Sequence, residues 1–175
     1  MSLQLQFVDH LVQLAPPGET LLFVTQKPII KNGEQQYHGD GTPKYTWPAF
    51  LPEKFKFKGA SYVNTGSFIV DRFTDGVPSA SAANCDFVAF LMLDDIGTKS
   101  KKPSLDPTWI VETSPNNYQY GYVFSEQPTK GDFTAAIKAI AEAGYTDVGA
   151  TNAVRNVRLP GSINLKPGRD NFATV

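Results

Sequence analysis

Cysteine and histidine are nearly absent from this chain. A single Cys85 cannot close an internal disulfide, and His10 and His38 stand far apart, outside any Cys/His pattern with zinc-ligand spacing. Disulfide scaffolds, zinc modules and thiol chemistry are disfavoured, and a reducing, cytoplasmic setting is expected. Charge of one sign is also lacking. The 16 basic and 17 acidic residues leave a formal net charge of −1, so no global positive field announces nucleic acid, and any such binding has to come from local patches. The first residues lack the charged-then-apolar order of a signal peptide. No apolar run approaches the ~20 residues that a membrane helix requires. The longest, Phe87 to Leu93, has the length of a strand, and no membrane partner is expected.

What is present is enough for one core. With 175 residues and 41% hydrophobic content, the chain is expected to form a single domain over residues 1–175. Apolar residues from Phe7 to Leu14 are partly helical in spacing. "LLFVTQKPII" after Gly18 predicts a strand ending at Pro28. Residues 31–52 are polar and rich in Gly, Lys and aromatics, and predict a long surface excursion, a place where function often resides. "SYVNTGSFIVDRF" predicts a further strand. "CDFVAFLML" gives the strongest strand signal, apolar on both faces, as a central sheet strand would be.

Downstream, "IGTKSKKPSLDP" predicts a basic loop. "TWIVET" and "YQYGYVF", separated by "SPNN", predict a β-hairpin. "GDFTAAIKAIAEAGY" predicts a helix, with Asp132 as its N-cap and Gly144 as its stop. The tail from Thr146 onward has no long periodic run and predicts a site-forming loop. Its open ending suggests a domain cut from a longer polypeptide.

The residues that invite chemistry cluster around the end of the central strand. Adjacent carboxylates at Asp94 and Asp95, leaving a buried strand, repel each other and lose hydration, so they favour a cation between them. Alternate strand residues point to opposite faces, and the two can converge only if the strand ends or twists there, as Gly97 allows. As a bare dipeptide the pair fits a strand-capping turn better than a site. Oxygen ligands of this kind suit magnesium or manganese.

Lys99, nearest the acids, is a candidate phosphate contact among the loop lysines Lys99, Lys101 and Lys102. Arg155, Arg158, Lys166 and Arg169 lie where cations and backbone amides could together bind phosphates, or simply form a basic surface loop. "RLPGSINLK" lacks the Gly-Lys-Ser/Thr ending of a P-loop, which disfavours a P-loop ATPase.

Taken in order, "LMLDDIGTK", "WIVETSPNNYQYGYVF" and "AVRNVRLPGSINLKPG" resemble the RepB-like replication primases of plasmids and phages, a branch of the archaeo-eukaryotic primase superfamily. The likeness runs over residues 86–168, about half the chain. It implies an α/β (α+β) fold, the archaeo-eukaryotic primase core, with an RRM-like catalytic sheet and an N-terminal α/β module. It also implies metal ligands at Asp94 and Asp95, and a third acid for which Asp147 is the candidate, with Glu112 and Asp132 as alternatives. The superfamily's second motif has a serine and then a histidine that contacts phosphates. Here Ser114 takes the serine position and Gln119 the histidine position. Gln119 carries no charge, so phosphate neutralisation falls to the metals, Arg158 and Lys166. Ser114 and Asn117 are expected to orient phosphate or sugar, while Tyr45, Trp47 and Tyr120 are candidates for stacking on bases.

The activity so implied is DNA-templated nucleotidyl transfer, primer synthesis with possible DNA extension, by two divalent ions, Mg2+ or Mn2+. Its partners would be a single-stranded DNA template, nucleoside triphosphates and a replicative helicase or helicase domain, in the cytoplasm of a bacterium or phage-infected host. Two other classes compete. One is a non-catalytic replication-initiation module that binds origin or single-stranded DNA, and the other is a metal-dependent nuclease.

Overall fold

A computed structural model describes residues 3–57, 59–165 and 173–174. The helical spacing near the start becomes α1 (Leu3–Val12), whose Val8 and Leu11 are buried. Strands follow as β1 (Glu19–Thr25), β2 (Ala49–Phe50), β3 (Ser61–Ile69), β4 (Cys85–Val88), β5 (Phe90–Ile96), β6 (Trp109–Ser114) and β7 (Asn117–Val123). Then come α2 (Lys130–Glu142) and β8 (Asn156–Arg158). This is a mixed α+β fold of antiparallel sheets with few helices.

Two sheets carry it. In the first, β3 is central, with β1 along one edge and both β8 and β4 along the other, and β2 extends the sheet beyond β1. In the second, β7 lies between β6 and β5. One core is shared by α1 and both sheets: Val8 and Leu11 meet Leu21, Phe23, Val63 and Val157 of the first sheet and Phe90 and Met92 of β5. A second lies between the second sheet and α2, where Leu93, Ile96, Tyr120 and Tyr122 pack on Phe133 and Ile137. Strand β5 is therefore buried on both faces, and each fully buried Phe or Leu contributes roughly 1.5–3 kcal/mol relative to exposure.

Several sequence expectations need correcting. The run "CDFVAFLML" is two strands in two sheets. The chain bends at Ala89, whose N–H donates to the Thr65 carbonyl of β3 at 2.9 Å, and β5 then joins the second sheet. Both segments are packed on both faces, so apolarity does not mark the switch. Strand β1 ends at Thr25, and Lys27–Pro28 pairs instead with Tyr45–Thr46. The excursion is exposed for much of its length but is not all loop: it holds that ladder, a second one between Ile30–Lys31 and Glu34–Gln35, and β2. Helix α2 is capped by Thr129, not Asp132. The Thr129 hydroxyl accepts from the Asp132 N–H at 3.2 Å and donates to its carboxylate at 2.7 Å, so the cap satisfies one of the open donors of the first turn. Gly144, at φ +84°, stops the helix as expected. Among the described residues no helix is long and apolar enough to cross a membrane.

Candidate active site

The site begins as an irregularity in β5. In the pairing with β7, Leu93 faces Tyr120 and Ile96 faces Tyr118, so Asp94 and Asp95 together oppose the single residue Gln119. This is a β-bulge, and it answers how two adjacent side chains reach one side of a strand. Asp95 sits in the left-handed region at φ +58°, which a short polar side chain tolerates better than most. Gly97 follows at φ +90°, and a Cβ there would lie 2.7 Å from the Asn116 carbonyl oxygen. A glycine is thus required where the strand leaves the hairpin.

Each carboxylate is held by several donors. Asp94 Oδ1 accepts from Gln119 Nε2 at 3.2 Å and from the Asp95 N–H at 2.9 Å, and Arg155 Nη2 meets its Oδ2 at 2.6 Å. Asp95 Oδ1 accepts from Asn117 Nδ2 at 3.2 Å, and Oδ2 from Lys99 Nζ at 3.1 Å. Hydrogen bonding to Asp95, then the charges of Asp95, Asp147 and Asp94, hold the Lys99 ammonium above the ordinary lysine range.

Facing the acids is Arg158, 7% exposed. Its Nη1 donates to the Ile163 carbonyl at 3.1 Å and its Nη2 to Asn164 Oδ1 at 2.9 Å, and its guanidinium lies 4.8 Å from the Tyr62 ring centroid. Burial pulls its pKa below the ordinary arginine range, opposed by Tyr62 and Asp94. Arg158 makes no ion pair among the described residues. A buried cation without a carboxylate, in a cleft, is a ready anion site.

The cleft has a volume of about 160 Å3 and gathers Asp94, Asp95, Lys99, Ser114, Asn117, Gln119 and Arg158, together with Thr98, Thr113 and Asn164. Of the residues singled out from sequence, Asp147 does not line it and Lys166 lies outside the described residues, as does Arg169. Asp147 is nonetheless close: the hydroxyl of its neighbour Thr146 accepts from the Asp94 N–H at 3.0 Å. The alternative acids are engaged elsewhere. Glu112 accepts from the Asn116 N–H in the hairpin turn, and the Asp132 carboxylate accepts from the hydroxyl of Thr129, the cap of α2. Among the described residues no three His, Cys, Asp or Glu side chains gather as a metal cluster.

Asn117 is occupied by protein, with its Oδ1 accepting from Thr98 and its Nδ2 donating to both Asp95 and Thr113. Gln119 ties the sheets together, since its Oε1 accepts from the Arg158 N–H while its amide group holds Asp94. Of the six buried side-chain polar atoms without partners among the described residues, two belong to the site: Ser114 Oγ, on a cleft residue, and Nη1 of Arg155, which holds Asp94. Such atoms cost about 1–3 kcal/mol each unless a ligand or water satisfies them. The donor chemistry fits a hard divalent cation, since two carboxylates and a hydroxyl offer only oxygen. Arg155 was visible in sequence only as one of several tail cations, and Asn164 only as an unremarked residue of the "RLPGSINLK" motif, because its pairing with Arg158 is set by the fold of the tail.

Comparison with known proteins follows the same direction. The profile of the RepB DNA-primase N-terminal domain matches residues 78–173. The AEP domain of the cyanophage S-2L primase-polymerase (PrimPol) is similar in structure, with a TM-score of 0.56 at 14% identity, covering 98% of this chain and 86% of that one. At that identity the likeness bears on the fold. No curated protein matches the sequence.

Proposed function

This chain belongs to the RepB DNA-primase N-terminal domain family, within the archaeo-eukaryotic primase superfamily, and from that premise we propose that its cleft performs DNA-templated nucleotidyl transfer, making primers and extending them. One observation carries the reading: a bulge sets two carboxylates side by side, across a small polar cleft from a buried arginine that has no carboxylate partner. Acids beside a guanidinium that no carboxylate neutralises suit a substrate that brings both phosphates and cations.

Asp94 and Asp95 would hold Mg2+ or Mn2+, with Asp147, next to the Thr146 that touches Asp94, as the candidate third acid. When bound, the ions lower the pKa of an attacking 3′-hydroxyl and offset charge on the triphosphate. The chain's own residues do the rest. Arg158, fixed by Ile163 and Asn164, presents its guanidinium to the phosphates. Ser114 Oγ and Arg155 Nη1 supply unused donors. Gln119 and Asn117 set the rotamers of Asp94 and Asp95, and the fixed dipoles need no reorganisation as charge develops. Lys99, 76% exposed, is free to swing from Asp95 to a phosphate.

The test is templated synthesis on single-stranded DNA with nucleoside triphosphates and manganese. Asp94→Ala is expected to lose about 10³-fold or more in kcat while keeping the wild-type far-ultraviolet circular dichroism. Near wild-type synthesis by that variant would overturn the reading. Shortened template strands in place of new oligomers would indicate a nuclease. Strand binding with no products of either kind would indicate a non-catalytic module.

A further inference from the structure

The excursion left unexplained by the cleft has a charge of its own. Residues 27–58 carry six lysines against Glu34, Asp40 and Glu53, a local +3 in a chain whose total is −1, so the rest of the chain carries −4. Three of these lysines, Lys27, Lys54 and Lys56, line one open groove of about 480 Å3 beside Phe50. All three are exposed, and none makes an ion pair among the described residues. The Lys27 ammonium stands 5.9 Å from the Phe50 ring centroid. Like charges collected along a groove without counter-charges favour a polyanion.

Aromatic rings connect that groove to the cleft. Arg158 lies on Tyr62, whose ring centroid is 5.3 Å from that of Trp47, and the Tyr62 hydroxyl donates to Gln26 Oε1 at 3.1 Å. Gln26 and Leu165 line the lysine groove, while Asn164, the preceding residue, lines the cleft. Trp47 remains 45% exposed, a large indole at the surface beside Tyr62. A charged groove beside an exposed aromatic is how proteins hold single strands: phosphates follow the cations, and an unstacked base lies on the ring. A duplex keeps its base faces covered and would gain nothing from Trp47.

We infer that the Lys27, Lys54 and Lys56 groove together with Trp47 binds single-stranded DNA and leads it to the cleft. That the strand is the template rests on the catalytic reading above, whereas its binding does not. The experiment is fluorescence anisotropy of a labelled oligodeoxythymidylate with the full chain, in chelator, over a series of salt concentrations. The triple variant Lys27→Ala, Lys54→Ala, Lys56→Ala is expected to bind at least about tenfold more weakly at low salt. The slope of log affinity against log salt should fall by about 2, at ~0.7 per phosphate contact.

Trp47→Ala should weaken binding about tenfold with the slope unchanged, and Trp47→Phe should restore most of it. Wild-type affinity and slope in the triple variant would overturn the inference. So would competition by duplex DNA or an acidic peptide as strong as that by the single strand. If Asp94→Ala still made primers while the triple variant bound the oligonucleotide weakly, the catalytic reading would fall and the binding surface would stand.

Discussion

The cations of the cleft and those of the lysine groove follow different rules. Arg158 is buried, held at two nitrogens by Ile163 and Asn164 and stacked on Tyr62, and Arg155 is fixed on Asp94 at 2.6 Å. Lys27, Lys54 and Lys56 are exposed, and none forms an ion pair among the described residues. A guanidinium fork conveys position as well as charge, while a solvated ammonium conveys charge alone. The cleft can therefore orient one phosphate group, and the groove can follow a backbone whose phosphates shift from one sequence to the next.

That difference is broken most severely at Arg158. Arg158→Lys keeps the charge but cannot hold Ile163 and Asn164 while also facing a phosphate. The KM for nucleoside triphosphate is expected to rise about 10²-fold, the scale of one or two charge-assisted hydrogen bonds. Lys54→Arg in the groove is the matching control, and it should change oligonucleotide affinity less than about twofold. Steady-state kinetics and anisotropy on the two variants decide the point. Equal, small effects would mean that the cleft also works by charge alone.

Arg155 comes next. Its removal leaves Asp94 beside Asp95 with one cation fewer. Breaking a fully buried pair by removing one partner costs about 3–5 kcal/mol. Both side chains here are nearly one-fifth exposed, which reduces the cost to about 1–2 kcal/mol, a few degrees of melting temperature. Manganese should recover more of that loss in Arg155→Ala than it adds to the wild type, because a cation bound at the acids replaces the missing one. A thermal-shift titration measures both slopes, and an identical response to manganese would count against the acid pair as a metal site.

How much of this was legible beforehand depends on the distance over which each feature is decided. The 114–117 hairpin, the α2 stop at Gly144 and the two acids at the end of an apolar run are local, and the sequence displayed them. The Ala89 switch between sheets was hidden because both sheets bury both faces of the chain, so periodicity is the same on either side. The expected convergence of Asp94 and Asp95 is achieved by a bulge against Gln119, which only the register of β7 reveals. Asn164 and Thr146 reach the site through pairings more than 45 residues apart in the chain, and no local pattern marks them. The Thr129 cap was missed for a local reason, since Asp132 is itself a good capping residue three positions later.

A smaller effect is expected at Ser114, and its sign separates function from folding. The hydroxyl is fully buried and without a partner. Ser114→Ala removes an unsatisfied group and should leave stability unchanged or raise it by about 1 kcal/mol. If a phosphate or sugar oxygen uses that hydroxyl, the same variant should raise nucleotide KM about tenfold. Raised stability with unchanged KM would remove Ser114 from the site.

The smallest effect concerns an ion pair outside both regions. Arg72 holds Asp86 at 2.8 Å, with both side chains more than two-fifths exposed, against less than one-fifth for Arg155 and Asp94. Hydrogen bonding to Arg72 depresses the Asp86 carboxyl below its ordinary 3.8. A depressed acid contributes stability that is present above its unfolded value and is lost as pH falls through its folded value. Wild type and Asp86→Asn should therefore differ slightly in melting temperature above pH 4 and converge below it. Glu19 acts in the opposite sense. Its carboxyl is raised by burial and then by Asp86, so the neutral asparagine relieves it and narrows the gap further. Screened by water and salt, this pair sets the baseline for an ion pair with no substrate to meet, and the larger response expected at Arg155 is to be measured against it.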